Sequence, residues 1–290
     1  MNKKIIAIAT SLVVSGGVLM GTAYAATTQL SGYDAYKLAI VNTKNLKNET
    51  ADLKLAVNDG KKNLANVSSN IKANSTTNAM SQTTTVKSSK GSENFSTFKQ
   101  DGKSISKSST SAVYNVKEEN NNKNFNKKAE KMNPEVAKSM EVILDTLVGS
   151  MKNNVTVTDN ADGTKKVAIN IKQNEIVPIV NAVASIALTK GNDEPMLNEK
   201  AGNLDVKNML PQLTSGITVK SVGVTGDISK DNIITNQVAK IVVTGLDAKG
   251  VTHDVTIDAT LNLSNINKTT PNTVNLTGKQ VKTIANHFER

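Results

Sequence analysis

Val251, His253, Val255, Ile257, Ala259, Leu261 and Leu263 alternate strictly with Thr252, Asp254, Thr256, Asp258, Thr260 and Asn262. Successive side chains of an extended chain point to opposite faces, so this pattern demands a strand in a sheet that is dry on one side and wet on the other. Ala51, Leu53, Leu55 and Val57 repeat it with Asp52 and Lys54 between them, and Asp59-Gly60 then supplies a hairpin turn. From 64 to 116 the chain reads as further strands broken at 73–78, Lys90-Gly91 and Asp101-Gly102. Thr83, Thr84 and Thr85 favour strand by β-branching but offer little area to bury, so these strands are expected to keep one face in water.

Helical patterns punctuate the strands. Ser31-Gly32-Tyr33-Asp34 reads as a capping box opening a helix to about Leu46, with Ala35, Leu38, Ala39 and Leu46 on one face. A polar Asn/Lys-rich connector at 120–132 marks an internal boundary, after which Asn133-Pro134 opens a helix over 135–151. Val136, Met140, Ile143, Leu144, Leu147, Val148 and Met151 form its apolar stripe. A hairpin around Asp162-Gly163 follows, and Asn174 is expected to cap a helix from Glu175 to about Leu188 that is apolar nearly all round and hence buried. A short helix is expected near 204–213. Thr277 and Gln280 read as a capping box for a closing helix carrying Val281, Ile284, Ala285 and Phe288.

The chain has no cysteine, so disulfides, Cys-ligated metals, thiol nucleophiles and cysteine-linked lipid are excluded, and folding rests on burial and hydrogen bonds. Without Trp, and with four Tyr and four Phe, the core must be aliphatic, and carbohydrate platforms and base-stacking surfaces built from aromatic rings are disfavoured. The formal charge of +10 is spread over dispersed lysines, a pattern that keeps a protein soluble or draws it weakly to an anionic wall or membrane surface. Nucleic acid is not an expected partner, because Arg290 is the single arginine.

Lys3 and Lys4 precede an apolar run over 5–20 and the small-residue sequence Ala23-Tyr24-Ala25. This is the pattern of a secretory signal peptide at 1–25, cut after Ala25, leaving 26–290, as one large domain or two small ones divided at the 120–132 connector, in the extracytoplasmic cell envelope. The run is shorter than the ~20 residues a spanning helix needs, so no transmembrane segment is expected in the mature chain.

Catalytic motifs are sparse. His253 lies in the apolar register of its strand and reads as a packed or rim histidine, while His287 reads as solvated. No G-x-S-x-G, H-E-x-x-H or accompanied S-x-x-K motif occurs, which leaves a carboxylate-dependent hydrolase as the one enzyme class in view. The stretch 158–163 resembles the start of a calcium loop but places Ile169 where the bidentate Glu belongs, so a hairpin turn is the better reading. Neither a cofactor nor a metal is expected. Eight Asn-x-Ser/Thr sequons, at Asn48, Asn66, Asn74, Asn94, Asn154, Asn262, Asn267 and Asn275, are what an Asn/Ser/Thr-rich chain produces by chance.

The element order, with Ser31-Gly32-Tyr33-Asp34-Ala35-Tyr36-Lys37 and Ile176-Val177-Pro178-Ile179-Val180-Asn181-Ala182, resembles uncharacterised secreted Gram-positive bacterial proteins of the periplasmic lipoprotein-carrier and outer-membrane lipoprotein-sorting superfamily. The resemblance implies an α+β fold in which a strongly curved antiparallel sheet forms a half-barrel with helices packed on its concave face. In that superfamily the space between sheet and helices binds acyl chains. The implied function is a secreted non-enzymatic envelope protein binding a lipid, lipid-modified protein or other apolar ligand, with Met140, Leu144, Leu147, Met151, Val180 and Val183 as candidate lining. The alternative is a structural or protein-interaction module with a filled core, acting on a cell-wall or envelope protein.

Overall fold

The computed structural model describes residues 31–119, 152–176 and 211–284. Among these residues an α-helix, α1 (Gly32–Lys44), precedes β1 (Asn48–Asp59), β2 (Lys62–Asn74), β3 (Ala79–Ser88), β4 (Gly91–Gln100), β5 (Lys103–Ser108) and β6 (Tyr114–Glu118). Then come β7 (Val155–Asp159), β8 (Lys165–Lys172), β9 (Leu213–Ile228), β10 (Ile234–Asp247), β11 (Thr252–Ser264) and β12 (Val281–Thr283). All twelve join one sheet in the order β12-β6-β5-β4-β3-β2-β1-β11-β10-β9-β8-β7, with β12 and β7 as its two edges. The pairing β1–β11 unites the early and late strands, and every ladder is antiparallel except β12–β6. Among the described residues the sheet is therefore open, not closed into a barrel.

Local chemistry explains the turns. Gly60 between β1 and β2 has φ 54°, and Asp101-Gly102 between β4 and β5 has φ 51° and 68°, the left-handed geometry that tight hairpins require. At 158–163 the chain makes a turn in which Asn160 O accepts the Gly163 N–H at 2.9 Å and Asp162 Oδ1 accepts the Thr164 N–H and hydroxyl. These bonds hold Asp162 below the usual carboxylate range, the Thr164 hydroxyl contributing most.

The helix α1 starts where its capping sequence places it. Ser31 Oγ accepts the Asp34 N–H at 3.2 Å and donates to Asp34 Oδ2 at 2.6 Å, satisfying one of the amides left open at a helix start. Tyr36, Ala39 and Ile40, at i, i+3 and i+4, pack on Val167 of β8, Ile228 of β9 and Ile234 of β10. This corrects the expected stripe: Leu38 is exposed, and the buried face is built on tyrosine. Thr43 ties the helix end to the sheet, donating to Ala39 O at 2.6 Å and accepting the Ile234 N–H at 2.8 Å.

A polar strap, 265–280, crosses the other face from β11 to β12. The Asn48 side-chain amide both donates to Thr269 O (2.8 Å) and accepts the Thr269 N–H (2.6 Å). The Gln100 amide holds Val274 in the same two-bond manner, at 3.1 and 2.8 Å. Ser81 Oγ accepts the Asn272 N–H at 2.9 Å between these two clamps. Three contacts five or fewer residues apart thus span β1 to β4, the distance an extended chain covers when it runs across strands. On this strap side Ile105 and Val116 are buried at 1% and 6% exposure.

Three sequence expectations need correction. The closing helix is absent over its first turn, because Val281–Thr283 pair parallel with Tyr114, Asn115 and Val116 of β6. Two β-branched residues and an unpaired edge outweigh a helical spacing that rests on few positions; Ala285 and Phe288 lie outside the described residues. Leu213, expected to end a helix, begins β9. Glu175 belongs to a single 3-10 turn, Gln173–Glu175, capped by Lys172 and not Asn174, with the Glu175 carboxylate accepting the Lys172 N–H at 2.8 Å. The backbone at Ile176 is extended, and the rest of that expected helix lies outside the described residues.

Candidate functional site

The face that carries α1 is built from aliphatic rows running across the strands. One row is Val57 (β1), Ile257 (β11), Ile241 (β10), Val222 (β9) and Ile171 (β8). The next is Leu55, Ala259, Ala239, Val224, Ile169 and Val155 of β7. A third joins Leu53 and Leu261 to Gln237, Gly226, Val167 and Val157. Leu53, Ala239, Ala259 and Leu261 form a buried cluster, whereas Leu55, Ile257, Ile241 and Val222 are only partly buried. Tyr36 is a polar group that α1 sends into this face: its hydroxyl donates to Gln237 Oε1 at 3.0 Å, and burial, partly offset by that bond, pushes its pKa up to about 12.

Toward β5 the same face changes character. Leu53 pairs with Ser69, Ser69 with Thr84, and Thr84 with Phe95, while the neighbouring row runs Ile71, Gln82, Thr97 and Ser106. Ser69, Gln82, Thr84 and Thr97 are all buried. Ser69 and Thr84 share a hydrogen bond of 2.9 Å, and Gln82 Nε2 donates to both hydroxyls at 3.1 and 3.2 Å. Beyond them the carboxyl of Glu93, 1% exposed, accepts from the hydroxyls of Ser108 and Thr110. Hydrogen-bonding one another is how such groups avoid the cost of burial.

A charged cluster closes the rim between the β1–β2 and β10–β11 turns. His253 Nδ1 lies 2.7 Å from Asp59 Oδ2, and its Nε2 lies 3.5 Å from Asp247 Oδ2. The Asp59 hydrogen bond, with further help from both carboxylates, raises the His253 pKa above its ordinary value. Asp247 is held below the usual carboxylate range, chiefly because its Oδ1 accepts the Val251 N–H, with Lys249 N–H and His253 adding to this. An imidazolium between two carboxylates is a favourable electrostatic arrangement and a poor general base, since both nitrogens face acceptors. Among the described residues no group of three or more His, Cys, Asp or Glu is arranged to hold a metal ion.

The candidate ligand-lining residues Met140, Leu144, Leu147, Met151, Val180 and Val183 lie outside the described residues. The aliphatic rows, the hydroxyl rows and the Asp59–His253–Asp247 cluster were not anticipated as assemblies. Their members come from strands distant in sequence, Asp59 and His253 being 194 positions apart. The alternation in β1 and β11 was the one signal pointing to the aliphatic rows.

No helix among the described residues is long and apolar enough to cross a membrane. No family model and no curated protein matches the chain. A beta-barrel-like protein of a domain of unknown function, DUF1849, from Brucella abortus is similar to it in structure at 10% identity and a TM-score of 0.16, over 76% of this chain and 96% of that one.

Proposed function

We propose that this is a secreted, non-enzymatic protein of the cell envelope that binds an apolar ligand, a lipid or lipid-modified partner, against the aliphatic face of its sheet. The observation that supports this reading most is the set of aliphatic rows crossing β8, β9, β10, β11 and β1, of which Ile257, Ile241 and Val222 stay partly accessible. Apolar walls with few polar groups suit acyl chains. The buried hydroxyls of Ser69 and Thr84 beside the rows would border the polar end of such a ligand. On this reading helices complete the site on a concave side of the sheet, as the resemblance to the lipoprotein-carrier superfamily implies, and export removes residues 1–25 by cleavage after Ala25.

The near-complete burial of Leu53, Ala259 and Leu261 favours the second reading, an interaction module whose core is filled. Titration with a fluorescent fatty acid separates the two. Saturable binding that is lost in Ile257→Trp, with the melting temperature kept within a few degrees, is expected of a carrier. No binding up to the solubility limit of the probe leaves the module.

A further inference from the structure

We propose that the opposite, polar face of the sheet carries a second binding site, for a linear polyol phosphate: hydroxyl-bearing units joined through phosphodiesters. The site is a depression of about 520 Å³ over β3, β2, β1 and β11, lined by Lys54, Asn66, Ser68, Lys87 and Thr260, with Ala56 as a small residue in its floor. Cross-strand register sets its pattern. Lys87 pairs with Asn66, Asn66 with Ala56, Ala56 with Asp258, and Asp258 with Lys240 of β10. Lys54 lies two residues from Ala56 on the same face, between Ser68 and Thr260.

Lysines therefore recur on β3, β1 and β10, at every second strand. Strand spacing of about 4.8 Å places neighbouring ones about 10 Å apart across the sheet. A polymer lying perpendicular to the strands would meet a positive charge at that interval. Between the charges it would meet the hydroxyls of Ser68 and Thr260, the Asn66 amide and the Asp258 carboxylate, which can accept from ligand hydroxyls and which a bare polyanion would find repulsive.

Charge complementarity argues for this occupant. Lys54, Lys87 and Lys240 make no ion pair with a described residue, whereas Lys166 is held by Asp227 at 2.9 Å. A Cβ added to Gly223, next to Lys240 in register, would meet nothing nearer than Lys240 O at 4.0 Å, so the face is also sterically open there. The depression has no aromatic residue in its lining, which disfavours stacked bases. It lies on the face away from the aliphatic rows, so it stands or falls independently of the proposed apolar ligand.

The test is isothermal titration of the full chain with polyglycerol phosphate, beside inorganic phosphate and phosphatidylglycerol vesicles. Two triple variants of equal charge are compared: Lys54→Gln/Lys87→Gln/Lys240→Gln, and Lys117→Gln/Lys230→Gln/Lys268→Gln at exposed positions elsewhere. Saturable, salt-sensitive binding of the polymer is expected, about tenfold weaker in the first variant, as three exposed ion pairs would give, and within about twofold in the second. Both variants should keep the native melting temperature. Equal loss in the two variants, no saturable binding of the polymer, or vesicle binding as tight as polymer binding would each overturn the proposal.

Discussion

Replacing Gly32 by alanine sets two effects of opposite sign against each other. Helix propensity and the reduced freedom of the unfolded chain both favour alanine, by about 0.4–1 kcal/mol. Packing opposes it, because α1 begins against the edge strand β7. An alanine Cβ at position 32 would lie 2.8 Å from Val155 O and 3.0 Å from Val157 N, where ordinary contact begins at 3.4 Å. Both are backbone atoms, so no rotamer relieves the overlap, and α1 must lift by about half an ångström from the surface on which Tyr36, Ala39 and Ile40 pack. Overpacking of this kind costs about 1–3 kcal/mol. The balance is a destabilisation of about 1–2 kcal/mol, or roughly 2–8 °C in melting temperature for a chain of this size. Thermal unfolding followed by circular dichroism measures it, with Gly223→Ala as the control. That glycine has open space where its Cβ would go, so its substitution should leave stability unchanged or raise it. A Gly32→Ala protein melting at or above the native temperature would refute the close approach of α1 to β7.

Other outcomes follow from the same contacts. The raised pKa of His253 makes its stabilisation complete below its ordinary value of 6.5 and lost as pH rises through the folded value; the lowered pKa of Asp247 makes its own contribution present above 3.8 and lost at more acid pH. Melting temperature should therefore fall between pH 5.5 and pH 8.5 by more in the native protein than in His253→Gln, and parallel profiles would contradict the rim cluster. Tyr36→Phe leaves Gln237 Oε1 without its hydroxyl donor and should cost about 1–2 kcal/mol in urea unfolding. Asn48→Ala and Gln100→Ala should each loosen the strap, seen as faster amide exchange at Thr269 and Val274 respectively, whose N–H groups they release.

Legibility in the sequence followed the range of the interaction. The Ser31 cap, the Asp59-Gly60 hairpin and the alternation of β1 and β11 depend on neighbours within a few residues, and local residue order alone announces them. The strap was not legible, since Asn48 and Gln100 use their amides on residues 221 and 174 positions away and no periodicity marks the segment. Three consecutive threonines hinted at a half-wet strand but not that Thr84 would be buried against Ser69 and Gln82, which only the β2–β3 register decides. Val281, Ile284, Ala285 and Phe288 carry a helical spacing, which over 281–283 pairing with β6 overrides. His253 was placed at a packed or rim position by its strand, yet its two carboxylate neighbours became visible only once β1, β10 and β11 were side by side.

Native mass spectrometry of the protein purified from its source, with organic extraction of the same sample, tests most directly whether the aliphatic face carries a ligand. The expected result is a mature chain beginning after Ala25 that retains an added mass, released on extraction as a molecule bearing an acyl chain. A chain at its bare mass, with no lipid recovered in proportion to protein, would contradict apolar-ligand binding.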